Sequence, residues 1–157
     1  MIDGKTKALF DTQGHFPRGT ILLYADNSLG DILIRLGSGS YWSHVAVALG
    51  DGRRVEAWQG VGVRVMGGDF LQTPNFAARK CPIDPNVITA KMLAQVGKPY
   101  DYLGWFANPL RNIFHADMRG GPPDAFHCSS LVAYAAGLTS KSYRAFTPQD
   151  AFNWADA

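Results

Sequence analysis

The apolar positions of this chain fall into runs short enough for strands and stripes spaced for helices. After a Pro17-Arg18-Gly19 turn, Thr20-Ile21-Leu22-Leu23-Tyr24 is an unbroken β-prone run that suits a buried strand. Ser28 and Asp31 form a capping box ahead of Leu29, Ile32, Leu33 and Leu36, which share one face of a short helix closed by Gly37. That stripe is expected to face the core. Ser43 to Leu49 and Arg53 to Trp58, separated by Gly50-Asp51-Gly52, read as a β-hairpin, with Val61 to Met66 and Phe76 to Cys81 as further strands. Asp84 and Pro85 open a helix carrying Ile88, Met92, Leu93 and Val96 on one face and stopped by Gly97, after which Lys98-Pro99-Tyr100-Asp101-Tyr102 restarts the chain. Leu131, Val132, Ala135 and Ala136 keep helical spacing behind Cys128 until Gly137, and Thr147-Pro148-Gln149-Asp150 opens a terminal helix through Trp154.

Between these elements, residues 107 to 125 make a connection longer than an ordinary loop, either a functional rim or a segment helical around Leu110 to Phe114. The order of elements predicts an α+β fold, an antiparallel sheet packed against helices, in one domain over 1–157 with its core at about 17–155.

The hairpin carries a sharper expectation. With a three-residue Gly50-Asp51-Gly52 loop, Leu49 faces Arg53, Ala46 faces Glu56 and His44 faces Trp58, so His44 and Glu56 lie diagonally on one face within side-chain reach. A two-residue Asp51-Gly52 loop puts them on opposite faces.

Composition narrows the class. With 157 residues, 46% hydrophobic and 18% charged, the chain has the make-up of an ordinary globular domain. A formal charge of +2 with interspersed signs gives no basic stripe, so nucleic acid is not an expected partner. Two cysteines, Cys81 and Cys128, do not make a disulfide framework and are expected as free thiols, Cys81 as a small core or edge residue. The segment from Met1 to Phe10 lacks the apolar core of a signal peptide, and no stretch of about 20 apolar residues occurs. Synthesis in the cytoplasm without a recognisable export signal is therefore expected, with lysis, a partner or a larger particle carrying the protein to any envelope target.

The chemistry centres on Phe126-His127-Cys128-Ser129-Ser130-Leu131-Val132, where a cysteine occupies the first turn of a helix. Unpaired N–H groups and the positive end of the helix dipole favour a thiolate there. Thiol catalysis also needs a base, a polar group to orient it and donors for an oxyanion. His44 is the candidate base, Glu56 the candidate orienting group, and backbone N–H groups near Cys128 the candidate donors. Each also has a plain structural reading: a buried cysteine, a satisfied sheet histidine, a solvated carboxylate. No metal and no cofactor is expected.

Ser43-His44-Val45-Ala46-Val47-Ala48-Leu49-Gly50-Asp51-Gly52 followed by Val55-Glu56-Ala57 resembles the histidine hairpin of the NlpC-type cell-wall peptidases of papain-like fold, in which the orienting residue falls twelve positions after the base, as Glu56 does after His44. The Cys128 segment, preceded by Gly97-Lys98-Pro99-Tyr100-Asp101-Tyr102, resembles that family's nucleophile segment. Histidine comes before cysteine here, the order of the circularly permuted branch, and Pro17-Arg18-Gly19-Thr20 is similar to its opening Pro-x-Gly-Asp, with Thr20 in place of aspartate. The resemblance spans about residues 17–150. It implies Cys128 as nucleophile, His44 as general base and Glu56 as orienting group, acting on an amide bond of peptidoglycan stem peptides. Tyr100, Asp101, His127, Ser43 and Ser129 are the candidates for shaping the cleft; His127 reads as a neighbour of the nucleophile, His15 and His115 as loop or surface residues. Two other readings stay open: an acyltransferase acting on lipid, for which Trp105, Phe106, Leu110, Ile113 and Phe114 could form an apolar entry surface and membrane contact, and a structural module of an assembly such as a phage tail.

Overall fold

The computed structural model describes residues 3–9, 15–67, 75–104, 122, 124–138 and 143–157. The expectations for Trp105, Phe106, the Leu110 to Phe114 segment and His115 therefore lie outside the described residues. A five-stranded sheet organises the chain: β1 (Ile21–Ala25), β2 (His44–Ala48), β3 (Arg53–Trp58), β4 (Gly62–Gly67) and β5 (Asn75–Arg79), in the order β4-β3-β2-β1-β5, every neighbouring pair antiparallel. A single turn of helix, α1 (Gly4–Lys7), packs on β5, where Thr6 exchanges hydrogen bonds with the Ala78 backbone.

β1 is buried on both faces, which explains its unbroken apolar run: Ile21 and Leu23 join one core cluster, Leu22 the other. The larger cluster lies between the sheet and three helices, α3 (Pro85–Leu93), α4 (Cys128–Ala136) and α5 (Pro148–Asp156). The smaller one, Phe16, Leu22, Ala46, Ala48, Phe76 and Ala78, covers the opposite face. The fold is thus α+β, with an antiparallel sheet against helices.

Three details differ from the sequence reading. The helix α2 (Leu29–Ser38) starts at the Ser28 cap but runs past Gly37 to Gly39, whose left-handed backbone (φ 62°) lets its N–H close on Arg35 O. Its apolar stripe does not enter the core: Leu29 is 82%, Leu33 63% and Leu36 76% exposed. Periodicity correctly identified one apolar face, but α2 borders the cleft described below instead of lying over the sheet. α3 ends at Leu93, and Val96 with Leu93 stays partly exposed, because Gly97 N–H leaves the helix to bond Val63 O on β4.

Candidate active site

The β2–β3 hairpin adopts the three-residue loop. Val47 faces Val55, Ala48 faces Arg54, and Leu49 N–H bonds Arg53 O. The register carries forward to set His44 diagonal to Glu56, and the His44 Nε2 to Glu56 Oε2 distance is 3.1 Å. Glu56 has no solvent exposure. Its burial is compensated by four hydrogen bonds: Oε2 accepts from His44 and from Arg54 Nε at 2.8 Å, and Oε1 accepts from Arg64 Nε at 3.0 Å and Nη2 at 2.9 Å. These bonds and the neighbouring positive charges outweigh desolvation and hold the Glu56 carboxyl down at about 2.

Cys128 arrives from the opposite direction in sequence. Phe126 bridges Tyr100 in parallel fashion, with Asp101 N–H on Phe126 O at 3.0 Å and Phe126 N–H on Pro99 O at 3.1 Å. This bridge fixes the entry to α4. His127 is its N-cap: Nδ1 accepts from Ser130 N–H, while the His127 N–H donates to Ser130 Oγ at 2.9 Å, a capping box. Cys128 is then the first helical residue, where N–H groups have no intrahelical acceptor.

The Cys128 thiol, 6% exposed, stands beside the His44 imidazole, and each shifts the ionisation of the other. With Nε2 on Glu56, the nitrogen left for the sulfur is Nδ1. Burial alone would raise the thiol, but hydrogen bonds from His127 and His44 and their positive charge lower it to about 5. Burial likewise opposes the His44 imidazolium, yet its hydrogen bond and charge attraction to Cys128, then to Glu56, raise it to about 9. Cys81, with no such partners, is pushed up by its burial. The two thiols, both free, therefore stand in opposite electrostatic settings.

The pair sits at the floor of a cleft of about 330 Å³. Ser28, Asp31 and Ile34 of α2 form one wall, and Trp58, Gln59 and Tyr100 the other. Tyr100 lines the cleft together with Cys128, and burial with the nearby Cys128 charge raises its phenol, so it stands there as an intact O–H. Ser43 also lines the cleft, its Oγ donating to Tyr24 O at 3.2 Å.

The other cleft candidates lie behind the wall. Asp101 accepts from Gly104 N–H at 2.7 Å and faces Arg144 at 3.8 Å. Ser129 donates to Phe146 O at 2.6 Å, and His127 Nε2 to Arg144 O at 3.1 Å. His127 therefore anchors the start of α4 through both ring nitrogens while its ring stands beside the Cys128 thiol. Thr20 donates its hydroxyl to Pro17 O at 2.7 Å, closing the turn before β1.

Sequence reading missed Arg54, Arg64, Trp58, Gln59 and the α2 wall. Arg64 was within reach: Glu56 and Arg64 are directly paired across the β3–β4 ladder, so pairing those two runs as a hairpin would have put a cation on the carboxylate. Among the described residues, no group of three His, Cys, Asp or Glu side chains comes together to hold a metal, and no helix is long and apolar enough to cross a membrane. No model of a known protein family matches the chain, and no curated protein does.

Proposed function

We propose that this chain is a thiol hydrolase that cleaves an amide bond through Cys128, His44 and Glu56, with a circularly permuted, NlpC-like arrangement of the papain-like fold. The observation that carries the reading is one constellation: Cys128 at a helix start lines the same cleft as His44, which is 3.1 Å from a fully buried Glu56. The hairpin bearing the base precedes the nucleophile helix and packs against it, as a permuted topology requires.

The chemistry follows from the parts. The Cys128 thiolate attacks the carbonyl carbon, and the oxyanion develops beside the first-turn N–H groups of α4 and the Tyr100 hydroxyl. The His44 imidazolium passes its proton to the departing amine, leaving a thioester. Neutral His44 then takes a proton from water, the resulting hydroxide adds to the thioester, and the carboxylic acid leaves as Cys128 regains its thiolate. Glu56 holds the ring in the tautomer that carries its proton on Nε2.

The substrate class, peptidoglycan stem peptides, rests on the resemblance of the two motif segments. Incubation with purified muropeptides and mass analysis of products tests it: wild type releases a fragment, and Cys128→Ala releases none. Equal release by Cys128→Ala refutes the assignment of the nucleophile. A second reading, acyl transfer from lipid, draws on the exposed Leu29, Leu33 and Leu36 stripe of α2 beside the cleft. Co-sedimentation with phospholipid vesicles separates the two, since a hydrolase of soluble muropeptides stays in the supernatant.

A further inference from the structure

We infer that Arg64 and Arg54 are positioning residues of this site: gripping Glu56 by both oxygens, they fix the orienting carboxylate and govern the ionisation of the His44 and Cys128 pair. The inference rests on the thiol reading above and adds two residues to it.

The geometry is unusual in its redundancy. A buried carboxylate that orients a base needs one hydrogen bond to the imidazole and one cation to offset its charge. Glu56 has two cations. Arg64, directly opposite in the ladder, occupies Oε1 with two N–H groups, and Arg54, two residues earlier on the same face, takes Oε2 beside His44. With His44 on Oε2 as well, every acceptor position of the carboxylate is used. The fork of Arg64 is itself held, its guanidinium lying 4.6 Å over the Trp58 ring, and the edge of that ring meets His44 at 5.2 Å. Arg64, Trp58, His44 and Glu56 thus close a ring of contacts in which none can turn alone.

Charge counting gives the consequence. Both guanidinium groups place positive charge on the carboxylate behind the imidazole, and a guanidinium keeps its charge across the working pH range. That charge opposes the imidazolium of His44 and favours the thiolate of Cys128. The other groups facing His44 are Cys128 from α4, Tyr24 from β1 with ring centroids 5.8 Å apart, and Asp31 and Tyr100 across the cleft. Burial raises both tyrosines, so neither changes charge while the pair titrates. The arginines set the level from which the pair departs.

The test is the pH dependence of iodoacetamide labelling at Cys128, followed by peptide mapping, in the full chain. Wild type should show two inflections, the appearance of thiolate and the loss of imidazolium. Arg64→Gln keeps a donor and removes the charge; both inflections should move up by about half to one pH unit, the scale of one unit charge at a partly buried site. Arg64→Lys keeps the charge and should leave them within about 0.2 unit of wild type, by the same reasoning. Arg54→Gln should move them upward as well, and carries the test if Arg64→Gln does not fold. Inflections that stay in place or move down in the glutamine variants overturn the inference, as does an equal shift in Arg64→Lys. If wild-type Cys128 itself shows no inflection below that of Cys81, the thiol reading fails instead of the clamp.

Discussion

Replacing Glu56 by glutamine keeps the shape of the side chain and removes the charge on which four hydrogen bonds converge. A carboxamide offers one oxygen and one NH₂ group, so at least one of His44, Arg54 and Arg64 then faces a donor with its own donor. The size of the effect comes from the displacement of the Glu56 carboxyl from its ordinary 4.5 to about 2, which corresponds to about 3 kcal/mol of folding free energy at about 1.4 kcal/mol per pH unit. Glu56 is fully buried, so solvent screening does not reduce this figure. In a chain of this size, about 3 kcal/mol lowers the melting temperature by about 10 °C. The sign with pH follows from linkage. The unfolded carboxyl takes up its proton near 4.5 and the folded one only near 2, so the stabilisation is complete above the first value and lost as pH falls through the second. Thermal unfolding of wild type and Glu56→Gln, followed by far-UV circular dichroism between pH 7 and the lowest pH at which both fold, should show a gap that is widest at neutrality and narrows in acid. A gap below about 1 °C at pH 7, or one that does not narrow in acid, refutes the electrostatic account of this residue.

Three further outcomes follow from other parts of the molecule. Leu36→Ser should change stability by less than about 0.5 kcal/mol in denaturant unfolding, since Leu36 is 76% exposed; a loss of about 2 kcal/mol would return the α2 stripe to the core. Gly62→Ala should destabilise by about 2 kcal/mol or more and slow Cys128 labelling, because φ is 95° and a Cβ would run into Lys98 O, just before the segment that carries Tyr100. His127→Asn should keep the cap of α4 and slow Cys128 labelling only in part, since one of the two imidazoles that lower the thiol remains, whereas His44→Ala should abolish the fast reaction. A loss in His127→Asn as deep as that in His44→Ala would make His127 the base.

The hairpin was legible in the sequence because two constraints agreed. Its apolar alternation and the Gly50-Asp51-Gly52 spacing left two registers, and one of them put His44 beside Glu56. The start of α4 was legible from the loop before it and the spacing behind it, although its cap, His127, is not among the usual N-cap residues. What periodicity could not supply was a neighbour for each face. It found the apolar stripe of α2 but not the cleft that α2 borders, and it gave no sign that Tyr100 and Phe126 would meet in a bridge. The arginine clamp was hidden for a different reason: charged residues ordinarily lie in solvent, so Arg54, Glu56 and Arg64 read as an outer face until cross-strand pairing shows their charges meeting inside.

The central claim is that Cys128 stands as a thiolate paired with the His44 imidazolium near neutrality. Its most direct test is the rate of alkylation at Cys128 against Cys81 at pH 6, resolved by peptide mapping. At that pH a thiol lowered to about 5 is almost wholly thiolate, whereas an ordinary free thiol at about 8.5 is about 0.3% thiolate, and burial pushes Cys81 up. The lower basicity of the Cys128 sulfur takes back about thirtyfold of that roughly three-hundredfold advantage. Labelling of Cys128 should therefore be about tenfold faster than that of Cys81, and His44→Ala should remove the difference. Equal slow labelling of both thiols, or a fast Cys128 reaction that survives in His44→Ala, would contradict the account.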